Sequence, residues 1–151
     1  MSTLILVKHS LPQIEPEVPA NQWRLSEEGQ RRVQVLAQKL AQYELDLIFS
    51  SIEPKAIETA HIVAAALEKQ VEIVEDLHEH DRRNVGFLEK QRFEASIAQF
   101  FAQPDVLTLG NETANQAYHR FSRTVVGITE EYADKNVALI THGTVLTLFV
   151  N

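Results

Sequence analysis

The sequence predicts a three-layer α/β/α sandwich, doubly wound around a mostly parallel sheet. Three observations predict it. Short apolar runs recur at 3–8, 46–50, 71–74 and 137–141, and such runs suit strands buried on both faces. Between them lie stretches whose apolar residues repeat at helical spacing. That alternation implies parallel strands joined by right-handed crossovers. Finally, the first and last runs each stop at a histidine, His9 and His142. Ligands of open α/β sheets sit just beyond the carboxyl ends of the strands.

Each element has its own signal. Residues 3–8 read as the first strand, and residues 10–25, with Pro12, Pro16 and Pro19, as a loop. Ser26 is placed to cap a helix whose first turn carries Glu27 and Glu28, where the helix dipole favours them. Val33, Leu36, Ala37 and Leu40 continue that helix to about Tyr43. Residues 46–50 form the second strand. Pro54 suits the first turn of a helix carrying Ala56, Ala60, Val63, Ala64 and Leu67. Residues 71–74 form the third strand, and 76–90 are polar and irregular. A helix over 91–102 stops near Pro104. A longer one follows Gly110 and Asn111, with Ala117, Phe121, Val125 and Ile128 on one face. After the strand that ends at Thr141, Gly143 opens a last helix, cut off at Asn151. So short a helix needs a packing surface. The expectation is either a truncated chain or a second copy that covers this end as a homodimer. No repeat, low-complexity tract or linker divides the chain, so residues 1–151 read as a single domain.

Composition narrows the function. A net charge of −7 and a pI near 5.3 argue against a general nucleic-acid binder and against an anionic membrane surface. They leave room for a small anion in a local cationic pocket. The chain has no cysteine, which excludes disulfides and thiolate chemistry. The apolar run from Leu4 to Val7 is too short for a signal peptide. The stretch from Val137 to Val150 is interrupted at residues 141–144 and is too short to span a bilayer. A soluble cytoplasmic protein is expected.

The groups gathered at the sheet edge suit phosphoryl transfer. Lys8 and His9 end the first strand; Ser50 and Ser51 end the second, with Lys55 in the helix after it. Glu79 follows the third strand and His142 ends the last. Two imidazoles, two ammonium groups and a carboxyl supply a nucleophile, cations for the transferring oxygens and an acid for the leaving oxygen. Backbone N–H groups after Pro54 would add an anion site. Rival readings exist. Each lysine alone suits a solvated surface, and Glu79 sits in the charged run His78–Arg83. His78, His80 and Asp81 are metal-ligand types and suggest a metallohydrolase. Arg82 and Arg83 beside them oppose a divalent ion, so no metal is expected, and these arginines suit a substrate's anionic tail instead. His61 and His119 read as surface or packing residues, and Trp23 as lining a substrate pocket or capping the core, with the core slightly favoured.

Taken in order, the motifs resemble the histidine phosphatase superfamily, also called phosphoglycerate mutase-like. Lys8-His9-Ser10 is similar to that family's Arg-His-Gly. Leu25-Ser26-Glu27-Glu28-Gly29 matches its Leu-Thr/Ser-x-x-Gly. Ser50 to Ala60 matches its Ser-Ser-Pro-x-x-Arg-Ala-x-x-Thr-Ala, with Lys55 at the arginine. Leu77-His78-Glu79 matches Leu-x-Glu. Gly110-Asn111-Glu112-Thr113 with Arg120 matches Gly-Glu-Ser/Thr with its later arginine, given one inserted residue. Thr141-His142-Gly143 matches the final block. The resemblance runs from residue 3 to residue 151.

It implies a phosphomonoester hydrolase that needs no cofactor and takes a small phosphorylated substrate. By the same resemblance, His9 is the nucleophile and becomes a phosphohistidine. Lys8 and Lys55 stand where two arginines clamp the phosphoryl group. His142 donates to the phosphoryl oxygens, and Glu79 is the general acid and base. Hydrolysis is favoured over mutase activity, because the family's mutases carry insertions for which 151 residues leave little room. The departures are the two lysines, which keep charge but lose the planar bidentate fork, Ser10 for glycine, and the absence of the structure that other members carry beyond this length. They keep open an alternative, a phosphate- or nucleotide-binding regulatory module of the same fold without turnover.

Overall fold

In the computed structural model, which describes residues 2–151, four parallel strands form one sheet in the order β1-β4-β2-β3. The strands are β1 (Leu4–Lys8), β2 (Leu47–Ser50), β3 (Val71–Ile73) and β4 (Val137–Thr141). The helices are α1 (Glu27–Ala41), α2 (Pro54–Leu67), α3 (Lys90–Ala102), α4 (Ala114–Glu131) and α5 (Gly143–Val150). The expected sandwich is present, with boundaries displaced by a residue or two. The longest helix begins at Ala114, later than Gly110 and Asn111 suggested. There Thr113 and Gln116 close a capping box, which satisfies the first free N–H groups.

The strand alternation sorts the core into two layers. Ile48, Ala138 and Ile140 point toward α1 and α2, where they meet Val33, Ala37, Ala60 and Val63. Phe49, Val137 and Leu139 point the other way, toward Ala117, Phe121 and Val125 of α4 and Val145 of α5. Every residue of β4 is buried, as expected of a strand covered on both faces. The packing surface that the last short helix requires comes from α4. Leu146, Leu148 and Phe149 join its cluster, and Phe149 meets Phe121 edge-on at 5.7 Å. Among the described residues no helix is long and apolar enough to cross a membrane.

Register brings the functional positions together. Lys8 pairs with Thr141 and Ser50 with Ile140. The ladder continues one step past the strands, where the His9 N–H donates to the Thr141 carbonyl and the Ser51 N–H to the Ile140 carbonyl. His9, Ser51 and His142 therefore stand side by side at one sheet edge. The loop over 10–25 is pinned at its base by a Pro12–Leu25 bridge and by Ser26, whose side chain caps α1 by accepting from the Gly29 N–H at 2.9 Å. Gly29 is needed there because a Cβ would collide with the Leu11 carbonyl.

Candidate active site

Beyond the carboxyl ends of the strands opens a cleft of about 1220 Å³. His9 lines its floor and His142 lies buried behind it, with ring centroids 5.1 Å apart and planes tilted by 57°. The His9 Nδ1–H donates to its neighbour's carbonyl, Ser10 O, at 2.7 Å. An oxygen that only accepts puts the proton on Nδ1 and leaves the Nε2 lone pair free. Burial, with Lys55 and Lys8 nearby, lowers the His9 pKa to about 4, against smaller upward pulls from the Ser10 carbonyl and Glu79. The ring is therefore neutral near pH 7. Ser10 fits at the family's glycine position because its Oγ donates to the Gly29 carbonyl at 2.7 Å and its N–H to Thr59 Oγ1 at 3.0 Å. Those two bonds tie the end of β1 to α1 and α2.

His142 is fully buried, and burial pushes its pKa well below the usual value. Its Nε2 lies 2.7 Å from Ser51 Oγ and 3.2 Å from Glu53 Oε2. Its Nδ1 has no hydrogen-bond partner among the described residues. Lys55 is also buried. Its ammonium donates to the Ala20 carbonyl at 2.6 Å, lies 3.3 Å from Glu53 Oε1, and sits 5.7 Å from the centre of the Trp23 ring. Trp23 thus lines the cleft instead of the core. Its indole N–H donates to Val18 and Glu15 carbonyls, 2.9 and 3.1 Å away, within its own loop. Lys8 is exposed and runs its side chain along Gly143, where an added Cβ would lie 3.5 Å from Lys8 Cε.

Glu79 reaches the site as a fully engaged carboxylate. Oε2 accepts from the Thr144 N–H at 3.0 Å, and Oε1 from the Val145 and His80 N–H groups at 3.1 and 2.9 Å. The N-terminus of α5, rather than that of α2, therefore holds an anion here, and the anion is a side chain. Burial alone would raise the Glu79 pKa. Arg82, His142 and the N–H bonds outweigh it and bring the value down to about 2.

The loop after β3 is organised by a second ion pair. Arg120 pairs with Glu112 at 2.6 Å and donates to the carbonyls of Asp76 and His78 at 2.8 and 2.9 Å. Glu112 in turn accepts from the Asp81 N–H at 3.0 Å. Gly110, at φ +71°, brings the next segment so near Asp81 and His80 that a Cβ would clash with both. His80 uses both ring nitrogens here. Its Nε2–H donates to the Glu112 carbonyl at 2.8 Å, while Nδ1 accepts from Arg82 at 3.1 Å. Asp81 is held well below the usual carboxylate range, chiefly by Arg83. Histidine and aspartate are thus committed to the loop, and no three His, Asp or Glu among the described residues converge on a metal position. Arg82 turns inward, donating to Thr144 Oγ1 at 2.6 Å, 3.8 Å from Glu79. Arg83 faces solvent on Asp81. His61 and His119 are exposed.

The outer part of the cleft mixes charged residues such as Glu17, Arg83 and Lys90 with apolar ones. Ile14 and Ile52 stand on one side, Phe87, Phe93 and Phe101 on the other, all exposed. The residue that sequence reasoning missed is Glu53. It contacts both His142 and Lys55 and accepts the Glu79 N–H at 2.7 Å.

A profile of the histidine phosphatase superfamily (branch 1) matches residues 5–151. No curated protein matches the chain. Among solved structures, the chain is similar to a mycobacterial glucosyl-3-phosphoglycerate phosphatase in complex with VO3. Identity is 18% and the TM-score 0.78, over 97% of this chain and 77% of that one. It is similar also to a phosphoserine phosphatase from Entamoeba histolytica in complex with 3-phosphoglyceric acid, at 17% identity and a TM-score of 0.80, over 98% and 77%. An α-ribazole phosphatase from Shigella flexneri matches at 21% identity and 0.73, over 97% and 77%.

Proposed function

The chain belongs to the histidine phosphatase superfamily, and from that premise we propose that it hydrolyses phosphate monoesters through a phosphohistidine on His9. The observation that carries this reading is the state of His9. Its ring is neutral, Nδ1 is fixed by the Ser10 carbonyl, and Nε2 is left as a free lone pair at the cleft floor. An imidazole held in one tautomer is ready to attack without a prior proton transfer.

The substrate is a small phosphorylated molecule whose phosphoryl group would meet His9 Nε2 at the cleft floor. Lys8 and Lys55 supply the opposing charge, with His142 alongside. For Lys55 this requires the ammonium to exchange part of its contact with Ala20 and Glu53 for phosphoryl oxygens. Family resemblance puts the proton transfers on Glu79. Its pKa of about 2 makes it an anion before substrate arrives, so a role as acid depends on the incoming dianion raising its proton affinity.

The non-catalytic reading draws on one observation: both lysine positions lack the arginine fork, and Lys55 is already engaged. Release of inorganic phosphate from an aryl phosphate separates the two. Steady turnover by the wild type, lost in His9→Gln, is expected for the hydrolase. Vanadate binding without turnover would favour the binding module.

A further inference from the structure

The cleft is larger than a phosphoryl group requires. Its volume of about 1220 Å³ exceeds the roughly 300–1,000 Å³ of most small-molecule pockets. Beyond the floor there is room for the alcohol part of a substrate. Five large apolar side chains border that room: Ile14, Ile52, Phe87, Phe93 and Phe101. Each keeps between 36 and 54% of its surface in water. They come from four separate stretches, the loop before α1, the residues between β2 and α2, the loop after β3, and α3 itself. A single exposed apolar residue is ordinary. Five around one concavity that ends at His9 are surface that the fold leaves uncovered and a ligand can cover.

The arginines of the same cleft are already engaged. Arg82 donates to His80 Nδ1 and Thr144 Oγ1, and lies 5.2 Å from the centre of the Phe93 ring. Arg83 donates twice to Asp81, at 3.0 and 2.8 Å. Arg120 is held by Glu112 and by the carbonyls of Asp76 and His78. Lys8 and Lys55 belong to the phosphoryl group on the proposed function. Among the described residues, Lys90 is the one further lining cation without an ion pair, and two unpaired lining carboxylates, Glu17 and Glu75, outnumber it. A second anion on the substrate would meet net repulsion there. The two arginines that the sequence offered to an anionic tail are therefore not free to take one.

We propose that the substrates of this site are phosphate monoesters of bulky apolar alcohols, aryl-bearing ones above all, with no second anionic group. The proposal rests on the reading of the cleft as a phosphomonoester site, and does not depend on which atom takes the phosphoryl group. With the phosphoryl group at His9, the alcohol extends outward between Ile14 and Ile52 on one side and the three phenylalanines on the other. Its apolar surface and theirs leave water together, which drives the binding.

The test measures binding to the full chain by calorimetry with three phosphonates, whose P–C bond is not hydrolysed. 3-Phenylpropylphosphonate copies 2-phenylethyl phosphate, propylphosphonate lacks the ring, and 3-phosphonopropionate carries a carboxylate in its place. The phenyl compound is expected to bind about tenfold or more tighter than propylphosphonate, and the carboxylate compound no tighter than propylphosphonate. In Phe87→Ala and Ile14→Ala, both at exposed loop positions, the advantage of the phenyl compound should shrink by a few fold. Equal affinity for the phenyl and propyl compounds would overturn the proposal, as would tightest binding of the carboxylate compound, or a phenyl advantage unchanged in both variants. Binding in the expected order, without release of phosphate from 2-phenylethyl phosphate, sinks hydrolysis alone and leaves the apolar preference standing. No binding of any of the three sinks the phosphomonoester reading and the proposal with it.

Discussion

The floor of the cleft and its outer wall are built on opposite principles. At the floor, His142, Lys55, Glu53 and Glu79 are each buried or half-buried and held by hydrogen bonds or ion pairs, while the His9 ring is fixed by a carbonyl. At the wall, Phe87, Phe93 and Phe101 stay exposed, and α3 anchors itself through a small cluster around Phe100 and Leu109. A preorganised floor keeps the reacting groups in register, because misplacement by about an ångström costs orders of magnitude in rate. The loosely supported phenylalanines of the wall accept varied surfaces instead. On the proposed function, the reacting groups would lie at the strand ends and the substrate's remainder would meet the loop and α3.

The most damaging change to that contrast is one that loosens the floor from behind. Arg120 touches none of the reacting groups, yet it and Glu112 hold the loop that delivers Glu79. Arg120→Ala leaves a half-buried carboxylate unpaired. It is expected to cost about 3 kcal/mol in chemical unfolding and to lower kcat with it. Wild-type kcat in a measurably destabilised Arg120→Ala protein would show that the loop's geometry does not govern the floor. A smaller change sharpens the account of the phosphate clamp. Lys8 is exposed beside Gly143, with room for a longer fork. Lys8→Arg should raise kcat/KM by a few fold through bidentate contact, and a fall in steady-state assays would mean the pocket is built for lysine. The smallest effect belongs to the wall. Phe87→Ala should raise KM for 2-phenylethyl phosphate by less than about tenfold, the scale of lost apolar contact. It should leave kcat unchanged, and a matching loss of kcat would erase the distinction between floor and wall.

Much of the floor is legible in the sequence because its residues follow strands of plain composition. His9 and His142 end apolar runs, and neighbouring parallel strands must bring such ends together. Ser26 and Gly29 announce the start of α1 by capping and by close approach. The remainder depends on contacts across long sequence separations. Nothing local to Glu79 shows that its carboxylate meets the N-terminus of α5, more than sixty residues on. Glu53 reads as an unremarkable residue before a helix-starting proline. The available signal was its sign, an acid two residues from a lysine in a segment that resembles a phosphate clamp. For Trp23 the sequence leaves pocket and core both open, because a large aromatic ring suits either. The polar loop around it, stitched by its own carbonyls, turns the ring toward the cleft.

The central claim is that His9 takes the phosphoryl group, and it is tested most directly by rapid-quench labelling. Wild type and His9→Ala would be mixed with a radiolabelled aryl phosphate, and acid-labile phosphate on the protein counted. Label on the wild type, formed within one turnover and absent from the variant, is the expected result. Turnover without label, or equal label on both proteins, would contradict it.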